Sequence, residues 1–249
     1  MQIFFFNIMK IALIGYGKMG KAIEKIATER GHQIVCIIDE NNQQDSYSKQ
    51  FASADIAIEF TAPDVAEQNI RKCFEHSIPV VCGTTGWTDR LPALKKDIDK
   101  NGYTLFWASN FSLGVNIFIE INKYLAKIMN DFPYYDIFLE EVHHVHKKDA
   151  PSGTAITLAE SILQNLKRKT SWVKDIACLP EEIPISSIRE GDIVGTHSVL
   201  YESKMDSITL THKMKNRDGL ALGAVVAAEF TIGKKGLLSM DDILKFEQK

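Results

Sequence analysis

The first half of the chain alternates short apolar runs with stretches whose apolar residues recur at helical spacing. Lys10 to Ile14 is an apolar run that a glycine ends, which is typical of a strand buried on both faces. The same patterns predict strands over residues 33–39, 55–60, 79–82 and 103–107, and helices before Gly31 and over residues 64–76 and 92–101. Strands separated by helices predict a Rossmann-like, doubly wound parallel sheet of the α/β class, because each crossover needs a helix to bridge it.

The second half has a different pattern. Helical spacing predicts helices over residues 115–130, 153–167 and 221–230. Alternation of apolar and polar residues predicts strands over residues 134–144, 183–189, 195–203 and 206–213, the last two joined as a hairpin at Met205-Asp206. We therefore expect an α+β domain in which helices cover one face of the sheet.

Composition and charge exclude several classes of protein. With 29 Lys plus Arg and 32 Asp plus Glu, the net charge is −3, which is unlike that of a dedicated nucleic-acid binder. We interpret the basic run Lys167-Arg168-Lys169 as solvated surface. No apolar run approaches the roughly 18 residues that a bilayer span needs, and residues 1–8 are interpreted as a short extension before Met9. We expect a cytoplasmic protein without membrane or nucleic-acid partners.

Four cysteines lie far apart, at Cys36, Cys73, Cys82 and Cys178, and no two of them form a C-x-x-C pair. That spacing argues against both a disulfide scaffold and a thiolate zinc site, and it suits a reducing compartment.

A Gly-x-Gly-x-x-Gly motif, typical of dinucleotide binding, leaves the first strand and opens the next helix. Asp39 follows 19 residues after Gly20, where it can bind a ribose hydroxyl. Gly15 allows the tight turn, Gly17 a close approach of the pyrophosphate, and Gly20 close packing of helix on strand. The candidate loop is Gly15, Tyr16, Gly17, Lys18, Met19 and Gly20. The alternative is a glycine-rich turn that binds nothing.

The acidic pair Asp39-Glu40 bears on the choice of cofactor. Two carboxylates repel a 2′-phosphate, and no arginine lies close to them in sequence. We therefore expect NADH to be preferred, with NADPH as the possible second cofactor.

Two further loops follow predicted strands and are candidates for cofactor contact. The carboxyl ends of parallel strands meet in one crevice, so both loops are expected to line it. Their residues are Gly83, Thr84 and Thr85 in the first loop and Ala108, Ser109, Asn110 and Phe111 in the second. Either loop is alternatively a plain turn.

The densest polar chemistry lies between Glu140 and Thr154. Zinc ligation by its histidines lacks the spacing of a known motif, so we expect no metal. Alternatively, these residues are exposed side chains at the end of a strand and have no chemical role. The third interpretation is acid–base chemistry, with His143 transferring a proton, Lys147 supplying positive charge, and a helix N-terminus near Ser152 holding a carboxylate.

These motifs together resemble the dihydrodipicolinate reductase family of the diaminopimelate and lysine pathway. The resemblance rests on the glycine loop, on Gly83 to Gly86, on Ser109 to Asn116, and on Glu141 to Ala155, which is the most specific block. It implies reduction of a cyclic imine dicarboxylate, 4-hydroxy-tetrahydrodipicolinate, by hydride from a nicotinamide cofactor.

The resemblance also implies roles for single residues and an arrangement of domains. His143 and Lys147 would be proton donors, while His144, Gly153 and Thr154 would bind the dicarboxylate substrate. The cofactor domain would comprise residues 1–112 and 219–249, and residues 113–218 would form a substrate-binding and oligomerisation domain of a homotetramer. Two alternatives stay open: another two-domain nicotinamide enzyme acting on amino acids, and a cofactor-binding sensor without turnover.

Overall fold

The computed structural model describes residues 7–176 and 179–244. Cys178 and most of the expected N-terminal extension lie outside the described residues. Two compact units are present: one runs to Leu113 and resumes at Asp218, and the other is Gly114–Arg217.

The first unit contains strands β1 (Lys10–Ile14), β2 (Gln33–Ile38), β3 (Ile56–Glu59), β4 (Val80–Cys82) and β5 (Thr104–Trp107), with helices α1 (Lys18–Glu29), α2 (Lys49–Ala52), α3 (Pro63–Glu75) and α4 (Leu91–Asn101). The second unit contains α5 (Leu113–Ile128), β6 (Asp136–His143), α6 (Gly153–Leu163), β7 (Ser171–Lys174), β8 (Glu182–Arg189), β9 (Gly195–Glu202) and β10 (Ser207–Met214). The chain then returns to the first unit with α7 (Asp218–Thr231), β11 (Gly236–Leu238) and α8 (Met240–Ile243).

The first unit is a six-stranded parallel sheet in the order β11-β5-β4-β3-β1-β2. Alternate residues of each buried strand point to opposite faces. Ile11 and Leu13 therefore pack with α1 and α7, whereas Ala12 and Ile14 pack with α3 and α4. This arrangement confirms the predicted Rossmann-like fold.

A buried ionic cluster fastens the returning helix α7 to the start of this unit. The side chain of Glu229 is 2% exposed and accepts two bonds from Arg30, at 2.7 and 2.8 Å. His32 Nε2 lies 2.9 Å from the same carboxylate, while His32 Nδ1 accepts from the Met9 amide, so Nε2 carries the hydrogen. The cluster thus joins α7 to the segment between α1 and β2.

The second unit is a five-stranded mixed sheet in the order β10-β9-β6-β8-β7. Strands β6 and β8 are parallel, whereas β9 pairs antiparallel with both β6 and β10. Helices α5 and α6 cover one face, where Phe118 and Leu158 pack against Leu139 and Val199. Phe138 and Glu140 belong to the opposite, uncovered face. The predicted α+β domain is confirmed.

The structure adds two strands that sequence patterns did not predict, β7 and β11. Each has four residues or fewer, too short for alternation to stand out. The predicted helix over residues 153–167 ends earlier, at Leu163.

The interpretation of Lys167-Arg168-Lys169 as solvated surface is wrong for Lys169 and in part for Arg168. The Lys169 side chain is 3% exposed, and its Nζ donates to the carbonyls of Pro180 and Glu182 at 2.6 and 2.9 Å. Arg168 is half-buried and donates to two main-chain carbonyls. Both cations thus pair with main-chain carbonyls, and Lys169 Nζ also lies 2.6 Å from Asp136 Oδ1.

Among residues 7–176 and 179–244, no helix has the length and apolar character needed to cross a bilayer.

Candidate active site

The glycine loop after β1 is shaped by close backbone contacts. Gly15 has a φ of +92°, and a Cβ there would lie 2.1 Å from the Phe60 carbonyl oxygen. A Cβ on Gly20 would lie 2.2 Å from the carbonyl oxygen of Gly15. Gly17 is different, because a Cβ there would meet nothing within 4 Å. It begins α1 without a side-chain cap, so the first amides of the helix face open space.

The other residues of this loop surround that opening. Lys18 is exposed and Met19 is half-buried, and the Tyr16 hydroxyl hydrogen-bonds to the Glu24 carboxylate. The Gly15 amide donates to the Ile38 carbonyl at 2.8 Å, which sets the loop beside the end of β2.

Asp39 is the residue after β2, and a local turn fixes it. Its amide donates to Asn42 Oδ1 and its Oδ1 accepts from the Glu40 amide, both at 2.6 Å. The side chain is half-buried, and the next residue, Glu40, is exposed. Asp39 therefore lies next to the glycine loop within this unit, at the position where a ribose would be bound.

Glu59, at the end of β3, is a fully buried carboxylate that joins two loops. It accepts from the hydroxyls of Thr61 and Thr84, the second at 2.7 Å, and from the Cys82 thiol at 3.0 Å. The Thr84 hydroxyl oxygen also accepts from the Thr61 amide at 2.8 Å. The loops after β3 and β4 are thus held together by hydrogen bonds to one carboxyl group.

The predicted loop residues 83–85 differ in exposure. A Cβ on Gly83 would lie 2.2 Å from the Phe60 ring, so only glycine fits there. Thr84 is buried and its carbonyl accepts from the indoles of Trp87 and Trp107, at 2.8 and 3.2 Å. Thr85 is exposed.

The loop after β5 presents its residues unequally. Ala108 and Phe111 are buried, and the Phe111 ring centre lies 5.6 Å from that of Phe60. Ser109 is exposed, and Asn110 Oδ1 accepts from the Ser112 amide.

In the second unit, Glu141 and His143 point to the same, covered face of β6. The Glu141 carboxylate is fully buried and accepts from Arg189 at 2.9 and 3.1 Å and from the Ser152 amide at 3.2 Å. Its Oε2 also contacts His143 Nδ1. Burial alone would raise the pKa of Glu141, but the donors and positive charges around it, Arg189 first among them, outweigh burial and lower it.

Because Glu141 is ionised, it accepts, and His143 Nδ1 carries the hydrogen of that bond. His143 Nε2 is left to exchange a proton with a ligand. Burial lowers the pKa of His143, and the attraction of Glu141 opposes burial only in part. Gly195 leaves room for this ring, since a Cβ there would lie 3.0 Å from Nε2.

His197 lies behind His143, with ring centres 5.0 Å apart. Its Nε2 is 3.0 Å from the Ser152 hydroxyl, which caps α6 by accepting from the Ala155 amide. Burial, and then the charge of His143, lower the pKa of His197 to about 4. His197 is therefore a neutral packing partner near pH 7.

The remaining predicted residues follow β6 or begin α6. Lys147 Nζ lies 2.8 Å from Asp149 Oδ1, and this contact lowers the pKa of Asp149. Gly153 is exposed, and a Cβ there would meet nothing within 4 Å. Thr154 is half-buried, and so is His144, whose Nδ1 is buried without a partner among the described residues.

A metal ion is one conceivable occupant of this cluster, since ligand atoms of Glu141, His143 and His197 lie within 4.8 Å of one another. Both oxygens of Glu141, however, already accept from Arg189. The guanidinium neutralises the carboxylate that a metal ion would need as a ligand. Hydrogen bonding therefore explains why Glu141, His143 and His197 lie close together.

Four residues of these clusters were not singled out from sequence: Glu59, Thr61, Arg189 and His197. Arg189 pairs with His143 across β8 and β6. That neighbour relation arises from strand order, and no local spacing signals it.

Comparison with known proteins places both units in one family. The family model described as dihydrodipicolinate reductase, N-terminus, matches residues 9–111, and the model described as dihydrodipicolinate reductase, C-terminus, matches residues 114–244.

Individual relatives agree along nearly their whole length. A 4-hydroxy-tetrahydrodipicolinate reductase of Christiangramia forsetii is 46% identical over 236 residues, covering 95% of this chain and 98% of the relative. One from Staphylococcus aureus is 35% identical over 247 residues, covering 94% and 100%. A solved dipicolinate-bound dihydrodipicolinate reductase from a Paenisporosarcina species has the same fold, with a TM-score of 0.74, 23% identity, and coverage of 94% and 98%.

Replacement of Glu59 tests whether its hydrogen bonds shape the cofactor loops. Glu59→Ala leaves Thr61, Thr84 and Cys82 without their acceptor, and we expect NADH to bind about tenfold or more weakly. Calorimetric titration measures this, with Glu67→Ala on the surface of α3 as the control. Equal NADH affinity in a folded Glu59→Ala protein would show that the carboxylate has no such role.

Proposed function

The chain belongs to the dihydrodipicolinate reductase family: it reduces 4-hydroxy-tetrahydrodipicolinate with a nicotinamide cofactor, and we propose that His143 donates the proton that completes the reaction. The family match spans both units, so the two alternatives, an amino-acid dehydrogenase and a sensor without turnover, are set aside. The reaction belongs to lysine and diaminopimelate biosynthesis. The observation that supports the proposal is the contact between the ionised Glu141 carboxylate and His143 Nδ1.

The residues of the first unit fit a dinucleotide. The cofactor supplies the hydride when bound. The open N-terminus of α1 at Gly17 suits its pyrophosphate, and Asp39 suits the adenosine ribose. The loops after β4 and β5 offer backbone groups to the nicotinamide amide.

The residues of the second unit suit a dicarboxylate. The first amides of α6, at Gly153 and Thr154, point out of a helix of 11 residues. Gly153 has no side chain that would block a ligand approaching these amides. We assign one substrate carboxylate to these amides with Lys147, and the second to His144, whose buried Nδ1 lacks a protein partner among the described residues.

Proton transfer follows from the state of His143. Before substrate binds, the neutral ring is favoured, because burial lowers the pKa of His143. A bound dianion adds negative charge beside the ring and favours the imidazolium, so substrate binding takes up a proton at Nε2. The 4-hydroxyl of the substrate leaves as water, hydride adds to the conjugated ring carbon, and His143 gives its proton to the enamine carbon that results, while Lys147, the second candidate donor, stabilises the carboxylate. Turnover falls as pH rises, because the acid form of His143 is lost.

The replacement His143→Gln tests the proton donor. It keeps a polar side chain of similar size but removes the titrating ring, and we expect kcat to fall roughly 10²- to 10⁴-fold. The Kd for NADH should be unchanged, because His143 belongs to the other unit. His146→Gln, at an exposed histidine three residues away, is the control and should retain the normal rate. Full turnover by His143→Gln would remove His143 from the chemistry.

We propose that NADH is preferred over NADPH because of the carboxylates of Asp39 and Glu40. A 2′-phosphate would lie against two negative charges, and Glu40 is exposed on the same turn. The ratio of kcat/KM for NADH to that for NADPH should exceed one in the native enzyme. It should fall toward or below one in the double variant Asp39→Ser, Glu40→Arg. A kcat/KM for NADPH equal to or higher than that for NADH in the native enzyme would contradict the preference.

We propose that the uncovered face of the second sheet assembles the chain into a homotetramer. This face carries Phe138, which is 42% exposed, together with Leu200, Ser186, Ser198 and Thr209. An apolar and hydroxyl-rich sheet face of this kind is typical of a buried interface.

Light scattering should give a mass of four times 28.0 kDa for the native chain. Phe138→Glu should reduce that mass, because it puts a charge in the centre of the interface. Tyr124→Glu, an exposed position on α5, is the control and should not. A monomeric native chain, or a tetramer that Phe138→Glu leaves intact, would contradict this assignment.

We also assign the enzyme to the cytoplasm. The described cysteines, Cys36, Cys73 and Cys82, are free thiols, as expected in a reducing compartment.

A further inference from the structure

Arg189, the last residue of β8, contacts two separate parts of the proposed catalytic unit. Its guanidinium donates to both carboxylate oxygens of Glu141, at 2.9 and 3.1 Å. It also donates to the main-chain carbonyls of Asp149 and Lys147, at 2.5 and 3.3 Å. One planar cation therefore holds the carboxylate beneath His143 and the loop that carries Lys147.

The planar shape of the guanidinium makes this double contact feasible. Its five N–H groups point outward in a fixed fork, so it can pair with a carboxylate and still reach carbonyls at its other edge. The Arg189 side chain is 19% exposed and Glu141 is fully buried, so the pair is shielded from solvent. Within the described residues, Arg189 is the cation that hydrogen-bonds to Glu141.

We propose that Arg189 is a positioning residue for the reduction: it holds the Glu141 carboxylate in place beneath His143 and holds the Lys147 loop in register with it. The proposal rests on the proton-donor role given to His143 above. Arg189 acts through Glu141 and the loop and is given no contact with the substrate.

The electrostatic consequence is a defined pH dependence. The charged and titratable groups around His143 are Glu141 on β6, Arg189 on β8, Lys147 in the following loop and His197 on β9. His212 on β10 pairs with His197 across the sheet. Burial is the main cause that lowers the pKa of His143, and the positive charges of Lys147 and Arg189 act in the same direction.

Removing Arg189 should therefore raise the pKa of His143, because one repelling charge is lost and Glu141 attracts the imidazolium alone. The fall in activity at high pH should then occur at a higher pH than in the native enzyme. A role confined to folding would lower the amount or the thermal stability of active enzyme and leave this pH unchanged.

The matched variants are Arg189→Met and Arg168→Met. Arg168 is also half-buried in this unit and also donates to two carbonyls, those of Met129 and Tyr135, but has no contact with Glu141 or His143. We expect Arg189→Met to lower kcat at least tenfold, to move the high-pH limb of the kcat profile upward by half a unit or more, and to leave the KM for NADH unchanged. Arg168→Met should lower thermal stability and leave both kcat and the pH profile near normal.

Arg189→Lys makes the test independent of the folding of Arg189→Met. It keeps the positive charge but cannot reach Glu141 and both carbonyls together, so it should keep the native pH limb and still lower kcat. Two results together would overturn the positioning role. Arg189→Lys would have the native kcat and the native pH profile, and folded Arg189→Met would lose activity at the same high pH as the native enzyme. If His143→Gln turns over normally, the proposed proton donor fails instead, whatever the Arg189 variants show.

Discussion

The fully buried carboxylate of Glu141 is the constraint on which the catalytic unit depends. A buried charge is tolerated only when it is paired and hydrogen-bonded, and here Arg189, His143 and the Ser152 amide all bind it. Each of these bonds fixes something else: the tautomer of His143, the start of α6, and the end of β8. The electrostatic need to satisfy one carboxylate thus brings the His143 ring and the N-terminus of α6 together at the end of β6.

The cofactor unit uses the same device with different partners. Glu59 is also fully buried at the end of a strand, but among the described residues its donors are hydroxyl, thiol and amide groups and not an arginine. Hydroxyl donors hold the loops after β3 and β4 without introducing a titrating partner. In the catalytic unit, by contrast, the partner of the carboxylate is itself the titrating group. The same strand-end geometry therefore joins two loops in one unit and, in the proposal for His143, orients a proton donor in the other.

Much of the fold could be predicted because its signals are local. Buried parallel strands read as apolar runs, and the glycine loop combines a strand, a turn and a helix in consecutive residues. The short strands β7 and β11 could not be predicted, since three or four residues show no periodicity. The burial of Lys169 could not be predicted for another reason: its partners, the carbonyls of Pro180 and Glu182 and the carboxylate of Asp136, are distant in sequence. The residues from Glu140 to Thr154 predict acid–base chemistry locally, but Arg189 and His197 reach them only through the order of strands in the sheet.

The most direct test of the central claim is the tautomer of His143 in the ligand-free enzyme. Nitrogen NMR of ¹⁵N-histidine-labelled protein, with His143→Gln to assign the resonance, measures it at about pH 8, where a histidine of lowered pKa is neutral. An ionised Glu141 beneath the ring requires a protonated Nδ1 and an unprotonated Nε2, and the Nδ1 proton signal should be lost in Glu141→Ala. A ring protonated at Nε2 instead, or a tautomer indifferent to Glu141, would contradict the claim that this carboxylate sets the proton donor.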